Sequence, residues 1–135
     1  MNDMEELNDD LRKSHEFLAV AEWCFDNRYY NSCANRAYYS MFRAAFAALR
    51  KLVSSKMLPE DISHKGLISV FTRELINRRK VFPKIFSNYL KDTADLRGQG
   101  DYQADDVTER KARKSLESAK AFLTKVEEVL KDEPN

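Results

Sequence analysis

The stretch Arg97-Gly98-Gln99-Gly100-Asp101-Tyr102 puts a cation, two glycines, a carboxylate and a phenol within six residues. Glycine admits positive φ and lets the backbone approach a ligand closely. The planar fork of Arg97 can grip a phosphate, with Asp101 orienting it or a neighbouring tyrosine. Equally, Arg97 can complement the negative end of its own helix and pair with Asp101. Spacing leaves both readings open. His64 brings an imidazole, the group that general acid–base cleavage of a phosphodiester needs beside an arginine. Its position after Ser63 also fits a solvated first helical turn. Tyr102 carries a phenol with an ordinary pKa near 10, so it is a poor acid–base group at neutral pH. His15, between Lys13 and Glu16, reads as a surface residue.

A second group lies in the aromatic run around Asn35-Arg36-Ala37-Tyr38-Tyr39. At helical spacing Tyr38, Met41 and Phe42 fit a core better than a base-stacking platform. Asn35 and Arg36 can bridge helices or subunits. The cations Arg73, Arg78, Arg79, Lys80 and Lys84 form either a solvated face or a weak contact with a phosphate backbone. Other chemistries find no footing. Neither histidine follows a glutamate by three residues, Cys24 and Cys33 form no CxxC, and no glycine-rich phosphate loop or GxSxG elbow occurs. The expectation is no cofactor, no metal, and two reduced structural cysteines.

The elements that must position these groups follow from composition and periodicity. The chain has 135 residues, three Gly, three Pro and a net charge of +1. That balance excludes a polybasic coat or an acidic disordered tail, while few breakers and abundant Ala, Leu, Glu, Lys and Arg argue for helices. No apolar run approaches the roughly 20 residues that span a bilayer. The acidic N-terminus is neither a secretory nor a transit signal, which points to the cytoplasm. Apolar spacing predicts helices over 5–26, 30–53, 63–79 and 83–97. Gly98 and Gly100 are expected to stop the fourth. A fifth follows the capping-box pattern Asp106-Val107-Thr108-Glu109 and ends before a frayed tail at 131–135. The fold expected is all-α, a single domain over 1–135, built as an up-and-down bundle of four to five helices. Helix parity then places His64 and Arg97 at the same end.

Tyr30, Asn35-Arg36-Ala37-Tyr38-Tyr39, Ser63-His64-Lys65-Gly66 and Arg97-Gly98-Gln99-Gly100-Asp101-Tyr102, in this order, resemble the HEPN superfamily of small helical domains. The resemblance spans about residues 10–130 and is closest to a branch carrying the NRAYY and RxxxDY patterns. It implies a homodimer, and a metal-independent ribonuclease whose arginine and histidine line a cleft between subunits. It implies a role as toxin or defence effector beside a small nucleotidyltransferase antitoxin. Arg97 matches the family's arginine, but Tyr102, Gln103 and Ala104 stand where its histidine falls. His64 replaces that imidazole, or the chain is a non-catalytic subunit binding RNA, nucleotide or the nucleotidyltransferase. The candidate site is Arg97, His64, Asp101 and Tyr102, with Asn35, Arg36, Tyr38 and Tyr39 as structural or partner residues.

Overall fold

Alanine decides which helix is central. The computed structural model describes residues 3–59, 61–102 and 105–132. In α2 (Tyr30–Leu52), Ala34, Ala37, Ala44, Ala45, Ala47 and Ala48 are fully buried, on more than one face of the helix. A helix apolar around most of its circumference must be surrounded, and methyl-sized side chains let neighbours come close. Three long helices do so: α1 (Asp3–Asp26), α4 (Ile85–Tyr102) and α5 (Glu109–Asp132), with the short α3 (His64–Phe71) beside them. Among the described residues there is no strand.

Cross-helix pairs fix the directions. Glu6 and Asp10 meet Arg50, Ser14 meets Ser40, and Phe25 meets Tyr30, so α1 and α2 are antiparallel. Arg113 sits over Phe25, Lys120 reaches Glu22, and His15 reaches Glu127, so α5 descends against α1. Asp101 meets Asn35 and Arg97 meets Tyr38, so α4 ascends against α2. The result is an all-α bundle in up-down-up-down order. Phe71, Phe82, Phe86 and Phe122 fill the core between α3, α4 and α5, with ring centroids of Phe71, Phe82 and Phe86 within 5.1–6.5 Å of another ring of the set.

Several boundaries differ from the periodicity. Ser63 caps α3 as expected, its Oγ accepting from the Gly66 amide at 2.9 Å. The predicted 63–79 helix, however, widens into a π-helical segment at Thr72–Arg78. That turn buries Glu74 between Arg73 and Arg78, which hold its carboxyl below the usual range, Arg78 most strongly. The fifth helix is capped by Thr108, not Asp106: Thr108 Oγ1 accepts from the Lys111 amide at 3.2 Å. Asp106 instead accepts from the Asn31 side chain, whose oxygen takes the Val107 amide at 2.8 Å. One asparagine thus pins the start of α5 to the start of α2.

The largest correction concerns Gly98 and Gly100. They do not end α4, which runs through both to Tyr102, and neither has positive φ. Glycine permits a break without enforcing one. At Gly100 its small size has a use, because a Cβ there would lie 3.2 Å from Val107 Cγ2 and 3.3 Å from Asn31 Cβ. At Gly98 nothing lies within 4 Å. Gly98→Ala should therefore raise unfolding stability by about 0.5–1 kcal/mol through helix propensity. Gly100→Ala should lose that gain to crowding and fall at or below wild type. Urea denaturation of the two variants checks the pair.

Candidate functional site

The continued helix changes what Arg97 and Asp101 are to each other. Four residues apart in α4, they lie one above the other on a single face. Arg97 Nη1 is 3.4 Å from Asp101 Oδ2, and the two side chains are only 20% and 29% exposed. The same carboxylate oxygen accepts from Asn35 Nδ2 of α2 at 3.1 Å. Asp101 is therefore held from two helices.

The guanidinium rests on aromatic faces. Its carbon is 5.4 Å from the Tyr38 ring centroid and 5.8 Å from that of Tyr39. Such contacts favour a cation over a ring quadrupole. Tyr38 is wholly buried. Burial, aided by the neighbouring Tyr39 phenol, pushes the Tyr38 hydroxyl far up, and Arg97 opposes this only in part. The phenol stays protonated at any ordinary pH and can act only as a donor or neutral acceptor. Tyr38 Oη and Arg97 Nε are both buried without a hydrogen-bond partner among the described residues. Buried polar groups of this kind are uncommon and costly.

His64 arrives from α3. Its ring centroid is 5.2 Å from that of Tyr38, 5.7 Å from Tyr39 and 4.6 Å from Phe42. It is half-buried on these rings, so the solvated-turn reading does not describe it. His64 and Arg97 share one end of the bundle, as parity requires, but the route is different. The connection at 53–63 carries the chain back along α2, so α3 starts beside Tyr38, at the N-terminal half of α2, and the π-helical segment after α3 leads to Arg79, which donates to the Leu52 carbonyl. Burial first, then the positive charge of Arg97, lowers the pKa of His64 below its ordinary 6.5.

The structure thus gathers Arg97, Asp101, His64, Asn35, Tyr38 and Tyr39. Arg36 is turned away, exposed, with its guanidinium carbon 5.5 Å from the Phe17 ring centroid. Tyr102 closes α4, and its side chain lies outside the described residues, as do Gln103 and Ala104. Tyr38 is the member whose part the sequence understated: its core spacing was plain, its place beneath both Arg97 and His64 was not. Of the basic cluster, Arg73 and Arg78 serve Glu74, and Arg79 serves a carbonyl. Cys24 and Cys33 are free and buried, and burial pushes the Cys33 thiol up to about 11. No group of three or more His, Cys, Asp or Glu able to hold a metal ion occurs among the described residues, and no helix there is long and apolar enough to cross a membrane.

Two comparisons bear on this arrangement. A family model described as "HEPN domain" matches residues 7–129. A protein named "Putative toxin MJ0605", from Methanocaldococcus jannaschii, is 28% identical over 134 residues, a match covering 93% of this chain and 96% of that protein.

The His64 geometry has a sign that can be measured. The folded chain favours the neutral ring, while the unfolded chain takes up a proton near the ordinary 6.5. The His64 contribution to stability is then complete above about pH 6.5 and is lost as pH falls towards the folded value. An NMR titration of the His64 ring should give a midpoint below 6.5. Arg97→Gln should move it upward, but not past 6.5, because burial, the larger cause, remains.

Proposed function

The chain belongs to the HEPN domain family, and we propose that within it this protein is a toxin acting as a metal-independent endoribonuclease, with Arg97 and His64 at its centre. The observation that carries the reading is the delivery of His64 from α3 onto the same Tyr38 and Tyr39 rings that seat Arg97 of α4. An imidazole replaces the one missing from the motif position, from another helix. The likeness to a protein named as a toxin supports the biological role.

The chemistry follows from the state of each group. Arg97 holds a non-bridging oxygen of the scissile phosphate, displacing Asp101 from a pairing already long at 3.4 Å. His64 is kept neutral, the form that accepts a proton. It takes the proton of the ribose 2′-hydroxyl. The 2′-oxygen forms a bond to phosphorus as the bond from phosphorus to the 5′-oxygen breaks. The 5′-oxygen takes a proton from solvent, leaving a 2′,3′-cyclic phosphate and a 5′-hydroxyl. Asp101, tethered by Asn35, is a positioning residue for Arg97. In this reading the protein works in the cytoplasm as a homodimer, with a small nucleotidyltransferase as antitoxin.

The second reading is a non-catalytic subunit that binds RNA or nucleotide and pairs with that nucleotidyltransferase. It is favoured by the closed state of Arg97, which is already neutralised by Asp101 and largely covered. Cleavage of RNA by purified protein in the presence of a chelator separates the two. The catalytic reading expects a cyclic-phosphate product and a loss of about 100-fold or more in both Arg97→Ala and His64→Ala. Wild-type rates in both variants would overturn the site. A chain inactive on every RNA tried, but co-purifying with a nucleotidyltransferase, would establish the second reading.

A further inference from the structure

Lys80 and Lys84 remain from the basic cluster once Arg73, Arg78 and Arg79 have found partners. Both line a cleft of about 580 Å³, and Lys125 joins them from α5. None of the three makes an ion pair or hydrogen bond among the described residues. No aspartate or glutamate lines the cleft, and Glu74, the acid nearest to Lys80 in sequence, is held by Arg73 and Arg78. Val81, Phe82 and Pro83 supply apolar lining. The cleft lies where α4 begins, so most of that helix separates it from Arg97, about 20 Å from Lys84 at about 1.5 Å per residue.

The backbone at this cleft is unusual as well. Part of the lining comes from the π-helical segment Thr72–Arg78, and such turns are rare and recur at functional sites. Beyond it, the Val81 and Phe82 amides both donate to the Leu75 carbonyl, at 2.9 and 3.2 Å. Within the turn so closed, Lys80 has φ 54°, the left-handed region that residues other than glycine seldom adopt. Lysine lacks the short polar side chain with which asparagine or aspartate eases that conformation. Strain of this kind persists where the surroundings over-determine it, and it clusters at ligand clamps.

We propose that this cleft binds a nucleoside di- or triphosphate, its phosphate chain held by Lys80, Lys84 and Lys125. Three ammonium groups around one cavity repel one another until an anion enters. Apolar walls focus their field into the cleft instead of letting water disperse it. Lysine acts on phosphate as a point charge, and three such charges from two parts of the chain suit a run of phosphates better than one. The volume lies in the range of small-molecule sites and exceeds what a single phosphate fills. Val81 and Pro83 offer the remaining space an apolar surface for the nucleoside. This is a second site, and it does not depend on whether Arg97 and His64 cleave RNA.

Isothermal titration calorimetry of the full chain, at low ionic strength and without divalent cations, tests this. The probes are adenosine triphosphate, tripolyphosphate, inorganic phosphate and a single-stranded oligoribonucleotide. The triphosphate should bind once per chain, tripolyphosphate more weakly and phosphate weakest. Lys80→Gln and Lys125→Gln, on separate elements, should each weaken triphosphate binding about 10-fold, as loss of a charged hydrogen-bond donor does. Lys111→Gln, an exposed lysine of α5 outside this cleft, should leave it unchanged. Lys80→Gly relieves the positive φ, so it should melt no lower than wild type and still lose affinity. Equal losses in Lys80→Gln, Lys125→Gln and Lys111→Gln would reduce the effect to overall charge and overturn the site. Absence of triphosphate binding at millimolar concentration would also overturn it. Tripolyphosphate binding as tightly as the triphosphate, or the oligoribonucleotide binding more tightly through the same lysines, would overturn the nucleotide as the ligand.

Discussion

A guanidinium seated on a buried phenol ring, Arg97 on Tyr38, is the contact on which the site depends. A cation is costly to cover unless partners replace its water. Arg97 is four-fifths covered, and its partners come from two helices: the rings of Tyr38 and Tyr39 from α2, and Asp101 from its own α4. Asp101 is in turn tied to α2 by Asn35. The arrangement holds only if α4 lies close against α2 at that height. A small residue makes this possible: Gly100 on α4, where a Cβ would press on Asn31. Gly100, which looks like a hinge, is a spacer.

The same ring seat explains how a histidine from elsewhere in the chain reaches the arginine. A simple up-and-down path would start α3 beside the C-terminal end of α2. The 53–63 connection instead returns along α2, and Phe42 and Tyr38 receive the His64 ring. Asn31 does comparable work at the other side of the site, fixing the entry to α5 through Asp106 and the Val107 amide. Two polar side chains of α2, Asn31 and Asn35, thus register the chain on either side of residues 103–104.

What was legible follows the range of each signal. Helix number, the all-α class, the Ser63 cap and the core spacing of Tyr38 and Met41 are local properties of side chains, and they were readable. The end of α4 was misread because glycine has the same intrinsic preferences in a cap and in a tight crossing; at Gly100 only the neighbours, Val107 and Asn31, distinguish the two. Thr108 and Asp106 compete for one cap, and a tertiary partner, Asn31, settles it. His64 as a group beside Arg97 was readable from parity, but its aromatic bed was not, since parity counts helices and is blind to the path of a loop.

Charge placement narrows the chemistry further. Of the cations that suggested a nucleic-acid face, Arg73 and Arg78 balance Glu74; elsewhere in the bundle, Arg43 and Arg50 balance the buried Asp10. A chain of net charge +1 with its arginines so engaged has little long-range pull on a polyanion. Around Arg97 the groups are sorted by environment: one fixed cation, one imidazole kept neutral by burial and by that cation, and one phenol kept protonated by deeper burial. The cation and the imidazole share one aromatic floor, and the Tyr38 phenol beneath them is part of that floor. Each of these states is produced by packing.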